Sequence, residues 1–174
     1  MDKLVIRNMK ESDLDQIMLI QSECYTEVAP ESRASLQNKL ALSPDTCWVG
    51  ETKDNVVAYL ICHPWKMGDT PLLDTEIAEL PETKDIFYIH DLSVSEKGRG
   101  MGMARSLVNN ALSIALKIGF KKAGLVAVQG SSMFWGKFGF ASSTSLDEKS
   151  QDKLGAYGEG AIYMEFEILD HPAS

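Results

Sequence analysis

The chain has 174 residues, 44% of them hydrophobic and 24% charged, the balance of a globular protein with one sizeable core. Its formal net charge of −8, with no basic patch of interleaved aromatics, excludes a nucleic-acid binder and favours cationic small molecules as partners. No apolar run approaches the roughly 18 residues of a membrane span, and Met1-Asp2-Lys3-Leu4 lacks a signal-peptide pattern, so a cytoplasmic protein without membrane contact is expected.

In chain order, Leu4-Val5-Ile6-Arg7 reads as a first strand. Ser12, with Asp15 three residues on, reads as the N-cap of a helix that carries Leu14, Ile17 and Met18 on one face. A second helix is predicted over Ser32 to Leu42, ending near Pro44. Cys47 to Glu51 and Val56 to Cys62 form a predicted hairpin around the turn Lys53-Asp54-Asn55. From Asp69 to Asp85 the apolar pattern lapses, and Asp69, Asp74, Glu76, Glu79, Glu82 and Asp85 face one base, Lys84. Such a segment reads either as an exposed loop or short helix, or as the acidic wall of a site for a cation.

The second half is more regular. Ile86 to Val94 reads as a strand, Gly98 to Gly102 as a glycine-rich turn and Met103 to Ile118 as a helix. Its stripe is Ala104, Leu107, Val108, Ala111, Ala115 and Ile118, with Gly119 closing it. Leu125 to Val128 is a short buried strand, and Ser131 to Lys137 a short helix closed by Gly139. Two last strands, from Phe140 and over Ile162 to Ile168, flank a polar loop with Gly155, Gly158 and Gly160. Without repeats or a linker, residues 1–174 read as one domain of the α/β (α+β) class, a mixed sheet with helices on both faces.

Cys24, Cys47 and Cys62 are odd in number, widely spaced and flanked by apolar residues, which speaks against a disulfide framework. His63, His90 and His171 lack metal-ligand spacing, so no metal is expected.

A strand, a glycine-rich turn and a helix N-terminus together suit a phosphate. Free N–H groups and the positive end of the helix dipole converge there, and Arg99 and Arg105 add charge. The dinucleotide fingerprint fails because Gly98-x-Gly100 is followed by Met103, and Gly100-x-Gly102 by Arg105. A Walker A loop fails too, since five residues on from Gly98 stands Met103.

Arg99-Gly100-Met101-Gly102-Met103-Ala104 resembles the R/Q-x-x-G-x-G/A signature of the GCN5-related N-acetyltransferase (GNAT) family. Leu92-Ser93-Val94 closes the preceding strand where that family has it, and Phe134-Trp135-Gly136-Lys137-Phe138-Gly139-Phe140 resembles its C-terminal FYxxxGF element. The resemblance implies a mostly antiparallel mixed sheet splayed between two strands. It implies acetyl-CoA as co-substrate, with the backbone of Gly100, Met101, Gly102, Met103, Ala104 and Arg105, beside Arg99, holding the pyrophosphate. Leu92, Ser93 and Val94 would pair with the pantetheine arm.

Acetyl transfer to an amine requires removal of a proton from the ammonium, a donor for the oxyanion and stabilisation of the leaving thiolate. Tyr88-Ile89-His90-Asp91-Leu92-Ser93-Val94 resembles the arylalkylamine (serotonin) N-acetyltransferase branch, which has histidines where this chain has Tyr88 and His90. Strand alternation puts Tyr88, His90, Leu92 and Val94 on one face, which makes His90 the candidate base, beside Tyr88. Asp91 faces the other way and reads as structural unless the strand bulges.

The family's thiolate-protonating tyrosine is replaced by Trp135, whose indole donates a hydrogen bond but cannot surrender the proton. Trp135 is expected as a wall beside the cofactor's acetyl end, and Tyr157, Tyr163, Ser131 and Ser132 are candidates for the vacated role. Trp48, Tyr59, Trp65, Phe87 and Trp135 either line a pocket or fill the core. The expected activity is acetyl transfer to a primary amine of a small molecule by direct attack, in a monomer or homodimer. The alternative is a catalytically silent acetyl-CoA-binding sensor or interaction module.

Overall fold

The computed structural model describes residues 3–27, 29–53 and 55–168; Asp54 of the predicted turn and His171 lie outside them. Among the described residues seven strands form one sheet: β1 (Leu4–Asn8), β2 (Cys47–Thr52), β3 (Asn55–Trp65), β4 (Ile86–Val94), β5 (Lys122–Ala127), β6 (Ala141–Ser142) and β7 (Ile162–Glu167). Their order is β1-β2-β3-β4-β5-β7-β6. Neighbours are antiparallel except β4 and β5, the one parallel pair. A parallel pair needs a crossover, and the apolar stripe between Met103 and Ala115 supplies one.

That crossover is α3 (Met103–Lys117), which buries Met103, Leu107, Val108, Ala111 and Ala115. With Trp135 of the short α4 (Ser132–Gly136) it covers Leu60, Phe87 and Leu125 on one face of the sheet. The other face is covered by α1 (Leu14–Cys24) and α2 (Arg33–Leu42), whose Leu14, Ile17, Leu36 and Leu40 pack on Val49, Tyr59 and Ile61. No helix among the described residues is long and apolar enough to cross a membrane.

Several boundaries differ from expectation for identifiable reasons. Ser12 is exposed and does not cap α1, which starts after a 3-10 turn over Glu11–Asp13. Asp13 organises this corner instead. Its carboxylate accepts the Lys10 N–H at 2.8 Å and both terminal nitrogens of the Arg7 guanidinium at 2.9 Å, a bidentate pair. Ser32 caps α2 as predicted, accepting the Ser35 N–H at 3.2 Å.

Ile118 is 54% exposed rather than part of the α3 stripe, because the helix closes there and Gly119, at φ +104°, turns the chain away. A fifth helix, α5 (Glu148–Lys153), lies in the predicted polar loop. It is capped by Asp147, which accepts the Ser150 N–H at 2.8 Å, and it has no apolar period to betray it.

Urea unfolding distinguishes the two ends of the α3 stripe. Leu107→Ala, at a fully buried position, is expected to cost about 2–5 kcal/mol, and Ile118→Ala no more than about 0.5 kcal/mol.

Candidate active site

The glycine-rich turn joins β4 to α3 through a 3-10 turn over Glu96–Gly98. Gly100 and Gly102 have φ of +79° and +71°, the left-handed region that a Cβ disfavours, and an added Cβ at either would meet nothing within 4 Å. Glycine is therefore required by backbone conformation, and the space above the turn is open. Gly102 is the N-cap of α3, whose first N–H groups have no partners within the helix. Arg99 and Arg105 are exposed beside them. The Met103 side chain points into the core against Gly50, where a Cβ would lie 2.3 Å from its sulfur, so Met103 offers the turn only its backbone.

Upstream of the turn the sheet opens. β4 pairs with β5 only at Phe87–Ala123, Tyr88–Gly124 and Ile89–Leu125, and the pairing stops there. On the other side of β4, Asp91 faces Ile61 while Ile89 faces Cys62, so His90 is an extra residue, a β-bulge. The bulge breaks the alternation that put Tyr88, His90, Leu92 and Val94 on one face. Phe87, Ile89, Leu92 and Val94 pack toward α3, whereas Tyr88 joins a separate cluster with Leu146 and Tyr163. Between the parted strands lies a cavity of about 300 Å³, bordered by Leu92, Ser93, Val94 and Ala104 near the glycine turn. His90, Glu31 and Tyr157 also border it.

His90 Nε2 lies 2.8 Å from Glu31 Oε1, and the two side chains are 2% and 4% exposed. The other ring nitrogen, Nδ1, is buried without a hydrogen-bond partner. Burial would raise the Glu31 carboxyl, but the charge and hydrogen bond of His90, with Lys39 behind, outweigh it and hold it down at about 2. His63 reaches the same cluster from β3, its ring centroid 5.9 Å from that of His90 and 5.4 Å from that of Tyr88. Burial, then the charge of His90, pushes His63 down to about 3.

Next to the bulge, Asp91 is buried and accepts hydrogen bonds from the hydroxyls of Tyr25, at the end of α1, and Tyr59, the latter at 2.7 Å. Burial pushes Asp91 up to about 6, against the pull of these two hydroxyls. Gln129, after β5, reaches across the opening. Its Oε1 accepts the N–H groups of Thr26 and Glu27, and its Nε2 donates to the Cys24 carbonyl at 3.1 Å. The Cys24 thiol donates to the Val94 carbonyl at 3.3 Å.

The other expected residues divide. Tyr157 borders the cavity, and its hydroxyl donates to the Pro71 carbonyl at 2.6 Å; burial holds it well above the usual phenol range. Ser131 and Trp135 also border the cavity. Trp135 stands edge-on to Phe134 and Phe140, at 5.0 and 5.6 Å between centroids. Tyr88 is buried away from the cavity, and the Tyr163 hydroxyl donates to Glu165 at 2.9 Å. Trp48 and Phe87 are core residues, Tyr59 serves Asp91, and Trp65 donates to Asp69 at 3.1 Å.

The acidic segment supplies Leu73, not an acid, to the cavity. Two of its acids tie distant chain segments together instead: Asp69 accepts from Ser150 at 2.7 Å and pairs with Lys153, while Asp74 accepts the Ser32 N–H at 2.8 Å. Glu31, Tyr25 and Gln129 are among the cavity residues that the sequence did not point to. Each is remote in sequence from the glycine turn and carries no motif. Among the described residues, no group of three or more His, Cys, Asp or Glu is placed to hold a metal ion.

This architecture, a mixed sheet parted beside a glycine-rich helix N-terminus, is that of a coenzyme A-dependent acyltransferase. The profile of the Acetyltransferase (GNAT) family matches residues 14–140, and the chain belongs to that family. It is thus an acetyl-CoA-dependent acetyltransferase, with acetyl-CoA as co-substrate. No curated protein sequence matches the chain significantly.

Solved structures share the fold at low identity. The loading GNATL domain of CurA from Lyngbya majuscula has a TM-score of 0.78 at 11% identity, covering 98% of this chain and 100% of that one. N-acetylglutamate synthase from Neisseria gonorrhoeae, complexed with coenzyme A and N-acetyl-glutamate, gives 0.74 at 15%, covering 99% of this chain and 36% of that one. The ribosomal-protein-S18-alanine N-acetyltransferase from Escherichia coli gives 0.67 at 14%, covering 95% and 94%. Relatives this varied lend no support to the arylalkylamine branch in particular.

The raised Asp91 carboxyl has a consequence for stability. A group that holds its proton more tightly when folded stabilises the fold below its unfolded pKa, and that contribution is lost as pH rises through the folded value. Acidification from about pH 7 to about pH 5 is therefore expected to add about 1 kcal/mol through Asp91. The Asp91→Asn variant is expected to lack this increment in urea titrations at the two pH values.

Proposed function

We propose that this acetyltransferase moves the acetyl group of acetyl-CoA to a primary amine of a small molecule, by direct attack while both substrates are bound. The observation that carries this reading is the continuous cavity, which runs from Val94 and Ala104 beside the glycine turn to His90 and Glu31. At the turn, the N–H groups from Gly100 to Arg105 and the positive end of α3 suit a pyrophosphate, with Arg99 beside them. Leu92, Ser93 and Val94 lie on the edge of β4 that β5 leaves after Ile89, where the pantetheine amides can pair as an added strand. Trp135 walls the cavity near this line.

At the far end, Glu31 is ionised at neutral pH and His90 offers an unpartnered nitrogen, the surroundings that suit an entering ammonium. A volume of about 300 Å³, bridged by Gln129, favours a compact acceptor over a folded protein surface. His90 takes the acceptor's proton. Ser131 is the hydroxyl at the cavity that meets the departing thiolate most directly, and Tyr157 does so by giving up its bond to the Pro71 carbonyl; Tyr88 acts only as a neighbour of the histidine rings.

Thiol release from acetyl-CoA, screened over aryl amines, polyamines, aminoglycosides, amino acids and peptide N-termini, identifies the acceptor. Absence of release with every amine, alongside tight acetyl-CoA binding, would instead favour a silent binding module. With the best acceptor, His90→Ala is expected to lower kcat/KM by about 10²-fold between about pH 6 and about pH 9. An unchanged profile would remove His90 from the chemistry. Gly102→Val is expected to raise the acetyl-CoA Kd about 10-fold in calorimetry, since φ of +71° resists a β-branched side chain.

A further inference from the structure

We infer that Glu31 is a positioning residue: it fixes His90 as the Nε2–H form and thereby makes Nδ1 the atom that accepts the acceptor's proton. The inference rests on the acetyl-transfer reading and extends it to a residue outside every motif of the sequence. A neutral imidazole carries one N–H, and an ionised carboxylate can only accept. With Nε2 at 2.8 Å from Glu31 Oε1, the hydrogen lies on Nε2 and the lone pair on Nδ1. Nδ1 is the ring nitrogen that has no partner, in a side chain that borders the cavity.

Glu31 is itself held from several sides. Its N–H donates to Gln21 Oε1 at 3.0 Å, and its carbonyl accepts from Gln21 Nε2 at 2.9 Å, which ties it to α1. Its Oε1 accepts the Asp74 N–H at 3.2 Å, and its Oε2 accepts from the Ser35 hydroxyl at 3.3 Å. The buried Lys39 Nζ stands 4.0 Å from Oε2. Titratable groups facing His90 are thus Glu31 before α2, Lys39 on α2, His63 on β3 and Tyr88 and Asp91 on β4.

His63 does not compete for Glu31, because its own Nδ1 meets the Pro64 carbonyl at 3.0 Å. Lys39 stands behind Glu31, on the Oε2 side, and balances its charge, which leaves Oε1 to meet the ring.

In the step so defined, the acceptor ammonium gives one proton to His90 Nδ1. The freed nitrogen pair forms the C–N bond to the thioester carbonyl as the C–S bond breaks, and the sulfur keeps the bonding pair. The second ammonium proton ends on the coenzyme A sulfur, and His90 returns its proton to water. The products are the amide, the free thiol and one proton.

Nitrogen-15 NMR of the full chain labelled at histidine reads the tautomer directly, with His90→Ala assigning the signal. The Nε2–H form is expected in the wild type, kept in Glu31→Gln, whose amide oxygen still accepts, and lost in Glu31→Ala. With the best acceptor, kcat/KM is expected to fall about 10-fold in Glu31→Gln and about 10²-fold in Glu31→Ala, with the acetyl-CoA Kd changed by less than about 2-fold. A wild-type Nδ1–H form, or unchanged turnover in Glu31→Ala, would overturn the inference. If Glu31→Ala does not fold, the wild-type tautomer and Glu31→Gln decide it. If the wild type acetylates no amine, the transfer reading fails, and the ring-nitrogen signals alone then support or overturn the Glu31–His90 assignment.

Discussion

The site depends on the way β4 departs from regular pairing on both of its edges. β4 leaves β5 after Ile89 and carries an extra residue at His90 against β3. Had both neighbours stayed in register, the edge of Leu92 to Val94 would be consumed by β5 and no cavity would lie beside it. The bulge also reverses facing, so that Leu92 and Val94 join the core under α3 while Asp91 is directed to Tyr25 and Tyr59. The parting from β5 thus supplies the opening and the binding edge, and the bulge against β3 the placement of two ionisable groups.

Opening a sheet leaves buried polar groups to satisfy, and the surroundings of β4 do so with few side chains. Gln129 closes three backbone groups at the end of α1, and the Cys24 thiol takes the Val94 carbonyl. Lys39 and Glu31 form a buried ion pair that His90 extends through its hydrogen bond to Glu31, and removal of one partner from a buried ion pair typically costs about 3–5 kcal/mol. These three residues join α1, α2 and the segment around Asp74 into the acceptor-side wall, so the same contacts that stabilise the fold also orient the reactive ring.

Much of this was legible in the sequence because it is local. The stripe from Leu107 to Ala115, the β2–β3 hairpin, the boundaries of β4 and the glycine-rich turn each follow from residues a few positions apart. Spacing alone excluded two nucleotide-binding loops. Helix α5 and the Asp13 corner were not legible, since one lacks an apolar period and the other is built from Arg7, six residues away, rather than from a capping box at Ser12. The acids between Asp69 and Asp85 looked like a binding wall, yet Asp69 and Asp74 lock neighbouring chain segments.

By itself the sequence determined the family, the helix N-terminus fit for a pyrophosphate and His90 as a residue to watch, because a short run of backbone conformations encodes each. Which way His90 faces and which of its nitrogens is free were decided by tertiary structure alone. The bulge is a register slip between β3 and β4, and Glu31 reaches His90 across 59 positions of chain. No periodicity within either strand or helix carries such information; it exists only once the layers have packed.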